Sequence, residues 1–232
     1  MDPKKLFADE RFSGMCVYCG DRCSTRDHVP SRVLLDEPFP ENLPVVPACE
    51  KCNNGFSKDE AYLACFVECV INGSASTDKL QREKVKRILR EIPGLASTMD
   101  ACCYRNSQGN LLWSPDMERV RNVVLKLARG HVAYECSESQ LNKPDHIAIV
   151  PLCTMSKSEV QKFEAPPDNC GWPEIGSRAF QRICVVGSEV FLDDGWQVVQ
   201  PGRYRYSISY SGPMAVKFVL SEYLACEVIW LN

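Results

Sequence analysis

Four cysteines fall into two C-x-x-C pairs, Cys16-Val17-Tyr18-Cys19 and Cys49-Glu50-Lys51-Cys52, with 29 residues between Cys19 and Cys49. A C-x-x-C turn points both sulfurs at one centre, and two such turns supply the soft donors of a tetrahedral zinc site. With every position taken by thiolate, no place remains for water, so the expected Zn2+ is structural. Residues of another chemical kind lie between and just after the pairs. Asp27-His28 sets a hard carboxylate oxygen, suited to Mg2+ or Mn2+, beside an imidazole that titrates where a base working near neutral pH should. Asn53 follows the last cysteine, where its amide oxygen is placed to complete the same metal site. Hydrolysis of a phosphodiester needs an activated water, a Lewis acid and cations that hold the strand. Arg26, Arg32, Lys51 and Lys58 lie nearest in sequence and are the candidate phosphate contacts.

The same set has bland explanations. Asp27-His28 is also what a brace for a zinc fold looks like. Asn42 alone reads as a turn residue, and Asn53 alone as a helix cap. Only the combination points to chemistry.

That combination resembles HNH endonucleases of the ββα-metal class. The likeness rests on Asp27-His28 after the first pair, Asn42-Leu43 about a dozen residues on, and Cys49-x-x-Cys52-Asn53, and it spans residues 16–60. The wider string, from Arg26-Asp27-His28-Val29-Pro30 to Ser57-Lys58-Asp59, is similar to a group of bacterial HNH proteins. The resemblance implies a zinc-stabilised ββα-metal module and DNA cleavage. His28 would act as general base, one divalent ion would sit on Asp27 and Asn53, and Asn42 would hold the loop and orient the His28 ring. Many HNH proteins carry a final histidine where this chain has Asn53. That difference moves the expected metal preference toward Mg2+ or Mn2+. The alternative function is a zinc-ribbon-like module that grips nucleic acid or a protein without cutting. RNA is the second candidate substrate.

Composition sets the outer limits. Forty-five per cent apolar and 25 per cent charged residues exclude a disordered or fibrous chain. A net charge of −3 advertises no polyanionic partner, so any nucleic-acid contact must come from a local patch. No apolar run has membrane-spanning length, and the first residues lack a secretory pattern. The expectation is a cytoplasmic protein. Fourteen cysteines in a reducing compartment then favour metal over disulfide, the scattered ones reading as small buried hydrophobes.

The elements around the motifs suggest an α+β chain. Residues 1–73 form the expected HNH module. Residues 74–232 form a helical linker region and an accessory domain that ends in a mostly antiparallel sheet, a candidate selector of substrate, partner or homodimer mate. A capping box at Ser57–Glu60 predicts a helix that stops at Asn72-Gly73. Asp78 predicts a cap for a second helix, roughly 79–91, ended by Pro93-Gly94. Lys79, Arg82, Lys84, Lys86, Arg87 and Arg90 against Glu83 make that helix strongly basic, which is either a solvated face or a phosphate contact. Asn106–Asn110 reads as a hairpin turn. The longest helix is expected from Ser114-Pro115-Asp116, with Val120, Val123, Val124, Leu127, Ala128 and a packed His131 on one face. Strands are predicted at His146–Leu152, Arg182–Val186, Trp196–Val199, Arg203–Tyr210, Ala215–Leu220 and Leu224–Trp230, their aromatics reading as core.

Overall fold

The computed structural model describes residues 14–41, 43–166, 195–209 and 212–231. Its N-terminal part is a hairpin followed by a helix. Strands β1 (Thr25–His28) and β2 (Val45–Ala48) pair antiparallel, with His28 opposite Val45 and Asp27 opposite Val46. The loop between them holds a short 3-10 turn at Arg32–Leu34. Helix α1 (Glu50–Asn72) follows, and Gly73 closes it in the left-handed conformation at φ 62°, which glycine adopts without a Cβ penalty.

Helix α1 starts seven residues before the predicted cap. The Cys49 side chain accepts the Cys52 N–H, so the second cysteine pair is itself the N-terminus. Ser57 lies inside the helix, its hydroxyl donating to the Asn54 carbonyl. At 23 residues α1, rather than the 20-residue helix after Asp116, is the longest among the described residues.

The middle of the chain also departs from expectation. Helix α2 spans Glu83–Glu91, with Arg82 at its cap position and no capping side chain. Asp78 bonds the Ser76 hydroxyl instead. Pro93-Gly94 does not merely end α2 but opens α3 (Pro93–Cys102), because proline has no N–H to leave unpaired in a first turn. The predicted hairpin is present, β3 (Cys103–Arg105) pairing with β4 (Leu111–Trp113). Helix α4 (Met117–Cys136) is capped by Asp116, whose carboxylate accepts the Glu118 and Arg119 N–H groups. Its predicted apolar face is buried throughout, and His131 is fully enclosed.

The C-terminal part is a five-stranded antiparallel sheet in the order β5–β9–β8–β7–β6. The strands are β5 (His146–Pro151), β6 (Gln197–Gln200), β7 (Tyr204–Ile208), β8 (Met214–Leu220) and β9 (Leu224–Trp230). Helix α5 (Lys157–Glu164) follows β5 and carries a complete capping box at Ser156 and Glu159. The strand predicted at Arg182–Val186 lies outside the described residues.

One face of the sheet supplies Tyr204, Tyr206, Val216, Phe218, Cys226 and Val228 to a core shared with α1 and α4. Within it His131 stacks on Tyr206 with ring centroids 3.9 Å apart, and its Nε2 lies 2.7 Å from the Tyr204 hydroxyl. A smaller cluster gathers Cys16, Val17, Tyr18, Val29 and Val46 against Ala133 and Tyr134 of α4. Helix α4 is therefore common to both cores. Among the described residues no helix is long and apolar enough to cross a membrane.

Candidate metal centre and the adjoining polar cluster

The two knuckles meet as their spacing requires. Backbone bonds from Gly20 N to the Cys16 carbonyl (2.9 Å) and from Cys16 N to the Asp21 carbonyl (2.7 Å) curl the first pair into a turn. Val17 N donates to the Pro47 carbonyl at 3.1 Å, fixing that turn against β2 just ahead of the second pair. The sulfurs of Cys16, Cys19, Cys49 and Cys52 all lie within 4.8 Å of one another, and Cys19 and Cys49 Sγ are 3.7 Å apart. Among the described residues this is the one cluster of three or more such ligands.

The thiols are not equivalent. Cys49 is pulled down to about 7, first by the Cys52 N–H it accepts at the helix N-terminus. Cys19 is pushed up to about 11, chiefly by burial, and Cys52 further by burial and the neighbouring sulfurs. Four close sulfurs cannot all ionise beside one another without a cation between them. The donor set suits zinc, and the site is a four-cysteine centre able to hold one.

Beside the centre, strand alternation sends Thr25 and Asp27 to one side of β1 and Arg26 and His28 to the other. Asp27 is buried, while His28 is partly exposed. Asp27 Oδ2 accepts the Tyr18 hydroxyl at 2.8 Å and forms an ion pair with Lys126 Nζ at 2.7 Å. Lys126 comes from α4 and its side chain is wholly enclosed. The same ammonium bonds Glu60 Oε1 at 2.6 Å and Ser31 Oγ at 2.7 Å, and Ser31 donates to Glu60. A longer contact of 3.5 Å reaches the His28 carbonyl. One lysine thus serves two carboxylates and pins the turn after β1. Burial, followed by the charge and hydrogen bond of Asp27, raises Tyr18 well above the ordinary phenol value, keeping it a proton donor to Asp27.

Asn53 sits in the first turn of α1. Its amide nitrogen donates to Thr25 Oγ1 at 3.2 Å and to the Arg26 carbonyl at 3.3 Å, tying helix to strand. Asn53 and Asp27 therefore both face the side of β1 that α1 covers, and alternation places His28 on the other side. Asn42 lies outside the described residues. Arg26, Arg32, Lys51 and Lys58 are exposed around the module.

Sequence reasoning missed Tyr18, Ser31, Glu60, Lys126 and Gly130. A Cβ at Gly130 would stand 2.6 Å from Val29 Cγ2 and 3.3 Å from the Tyr18 hydroxyl, so this glycine lets α4 approach the turn after His28. Lys126 and Gly130 are four apart and lie on one helix face. The available signal was a charged residue and a glycine inside an otherwise apolar stripe.

Comparison with protein-family models, with curated proteins and with solved structures returns no match.

Proposed function

We propose that the chain is a metal-dependent HNH-type endonuclease that hydrolyses DNA phosphodiester bonds. The observation that carries this reading is the anchoring of Asn53, whose amide nitrogen bonds β1 at Thr25 and Arg26, two residues and one residue before Asp27. Helix and hairpin, clamped by the cysteine centre, bring together the elements that carry all the described members of the motif. Asp27 and Asn53 would hold a hard divalent cation. Each spends one polar atom on the fold, Asp27 its Oδ2 and Asn53 its Nδ2, and each keeps one oxygen, Oδ1, as a ligand. Glu60 offsets the Lys126 charge that would otherwise oppose a cation near Asp27. Two protein ligands suit a loosely bound ion whose shell is completed by water and substrate. When bound, it supplies Lewis-acid stabilisation of the leaving oxygen. His28, which alternation places on the other side of β1, would have to reach the attacking water around the end of that strand to take its proton, and Arg26 and Arg32 would hold phosphate oxygens.

A second reading, a zinc-held module that binds nucleic acid or protein without cutting, is favoured by the Lys126–Asp27 pair. An ammonium already satisfies the carboxylate that the nuclease needs as a ligand.

Supercoiled plasmid, zinc-loaded protein and a panel of Mg2+, Mn2+, Ni2+ and Ca2+ separate the two. The nuclease reading expects nicked or linear product with Mg2+ or Mn2+, lost in His28→Ala while folding and zinc content persist. Retarded but intact plasmid under every ion would leave the binding module standing.

A further inference from the structure

We infer that Arg32, Lys84 and Arg87 form a single contact site for the phosphate backbone of nucleic acid, held in shape by Phe39. This rests on the proposed action on nucleic acid and names the surface that would grip the strand. Arg32 lies in the 3-10 turn four residues after His28, and Lys84 and Arg87 lie in α2, about fifty residues away in sequence. The fold brings Lys84 to Arg32, and Arg87 lies one helical turn from Lys84 on α2. Lys84 Nζ donates to the Arg32 carbonyl at 2.8 Å. The Phe39 ring takes both cations, Lys84 Nζ at 4.7 Å and the Arg32 guanidinium carbon at 5.4 Å from its centroid. An aromatic face attracts cations through its quadrupole, so one ring here concentrates like charge at one spot.

Neighbouring charges are largely committed elsewhere. Asp36 is bound by Arg82 and Arg203, and Glu83 by Lys86. Glu37 is the carboxylate that acts on Lys84. Among the described residues, Arg32, Lys84 and Arg87 with Glu37 make a local charge of 3 − 1 = +2 on a chain whose net charge is −3. Burial, then the charges of Arg82, Arg87 and Arg32, holds the Lys84 ammonium below its ordinary value despite Glu37. Gathering like charges costs free energy in the unbound protein, and a polyanion that binds this site and releases its own counterions to solution relieves it. Two guanidinium groups and an ammonium suit phosphodiester oxygens, and nothing in the set reads a base.

The test is binding of a short fluorescent DNA duplex across a salt series, with the full chain zinc-loaded and no Mg2+ or Mn2+ added, so that no strand is cut. Replacing Arg32, Lys84 and Arg87 together by Gln should lower the slope of log K against log salt by about 2.7, three contacts at about 0.9 each. The charge-keeping set Arg32→Lys, Lys84→Arg and Arg87→Lys should retain the slope. So should Lys143→Gln with Lys157→Gln and Lys162→Gln, an equal change of net charge at exposed positions elsewhere. An unchanged slope in the first variant, an equal fall in the distant one, or no binding by the parent at low salt would each overturn the inference. Duplex binding that depends on these three residues, in a protein that nicks no plasmid, would instead remove the nuclease reading and leave this site in place.

Discussion

Lys126, in the middle of α4, holds its ammonium 2.7 Å from Asp27 Oδ2 and 2.6 Å from Glu60 Oε1, with no solvent on the lysine side chain. Three elements that meet nowhere in sequence are fastened by one cation. A buried cation shared by two acids owes its position to both, and removing it leaves two carboxylates without compensation. Lys126→Met should therefore destabilise the fold by about 3–5 kcal/mol, the range for breaking a buried charge pair from one side. Urea unfolding measures it. A loss under about 1 kcal/mol would show that the two acids rearrange or take up protons at little cost.

The cysteine centre should bind one zinc per chain, and the N-terminal segment should depend on it. The described residues of this segment ahead of α1 form two four-residue strands and one 3-10 turn, while structural zinc contributes on the order of 10 kcal/mol to such modules. Cys52→Ser or a strong chelator should release the ion and expose the backbone of β1 and β2 to hydrogen exchange. The sheet from β5 to β9 has its own buried face and should stay protected. Elemental analysis with exchange mass spectrometry reads both. Full protection of β1 in zinc-free protein would contradict the dependence.

What the sequence made legible was local or periodic. The C-x-x-C spacing, the apolar stripe of α4 and the hairpin turn at Asn106–Asn110 each follow from a few neighbouring residues, and the fold has all three. Errors arose where a distant partner decided the outcome. The capping box at Ser57 lost to Cys49, whose role as a cap goes with its place in the four-cysteine cluster. Asp78 lost its predicted helix to a Ser76 bond, and α2 begins where Glu68 Oε1 accepts the Gln81 and Arg82 N–H groups across the fold. Asp27 and His28 were visible as a motif. That Asp27 is bound to α4 was not, since Lys126 looks like any helical lysine until the chain is folded.

Asp36 gives a test in pH. Burial pushes its carboxyl up, but the hydrogen bonds and charges of Arg82 and Arg203 outweigh burial, so its value lies below the usual carboxylate range. A carboxyl depressed in the folded state stabilises above its unfolded value, near pH 3.9, and that contribution disappears as pH falls through the folded value. Asp36→Asn should cost about 1–2 kcal/mol at pH 7, discounted for the partial exposure of the pair. The difference between variant and parent should close in acid, below the folded value. Parallel stability curves from pH 7 down to about pH 2 would mean that Asp36 contributes through shape rather than charge.

Gly130 lies on the same face of α4 as Lys126, and two opposing effects meet there. Alanine in a helix interior is favoured over glycine by about 1 kcal/mol. Yet the new methyl would stand 2.6 Å from Val29 Cγ2 and 3.0 Å from Val29 Cγ1. Val29 is fully buried and branched at Cβ, so its methyls cannot swing clear, and α4 must move away from the turn instead. Overpacking of this kind costs about 1–3 kcal/mol, which equals or exceeds the propensity gain. A retreat of α4 also draws Lys126 from Asp27 and loosens the turn that follows His28. Gly130→Ala should therefore be no more stable than the parent in thermal melts, and should lose a larger fraction of any plasmid-nicking activity than of folded protein. A variant that melts higher with nicking intact would show that the helix approaches Val29 less closely than the 2.6 Å contact requires.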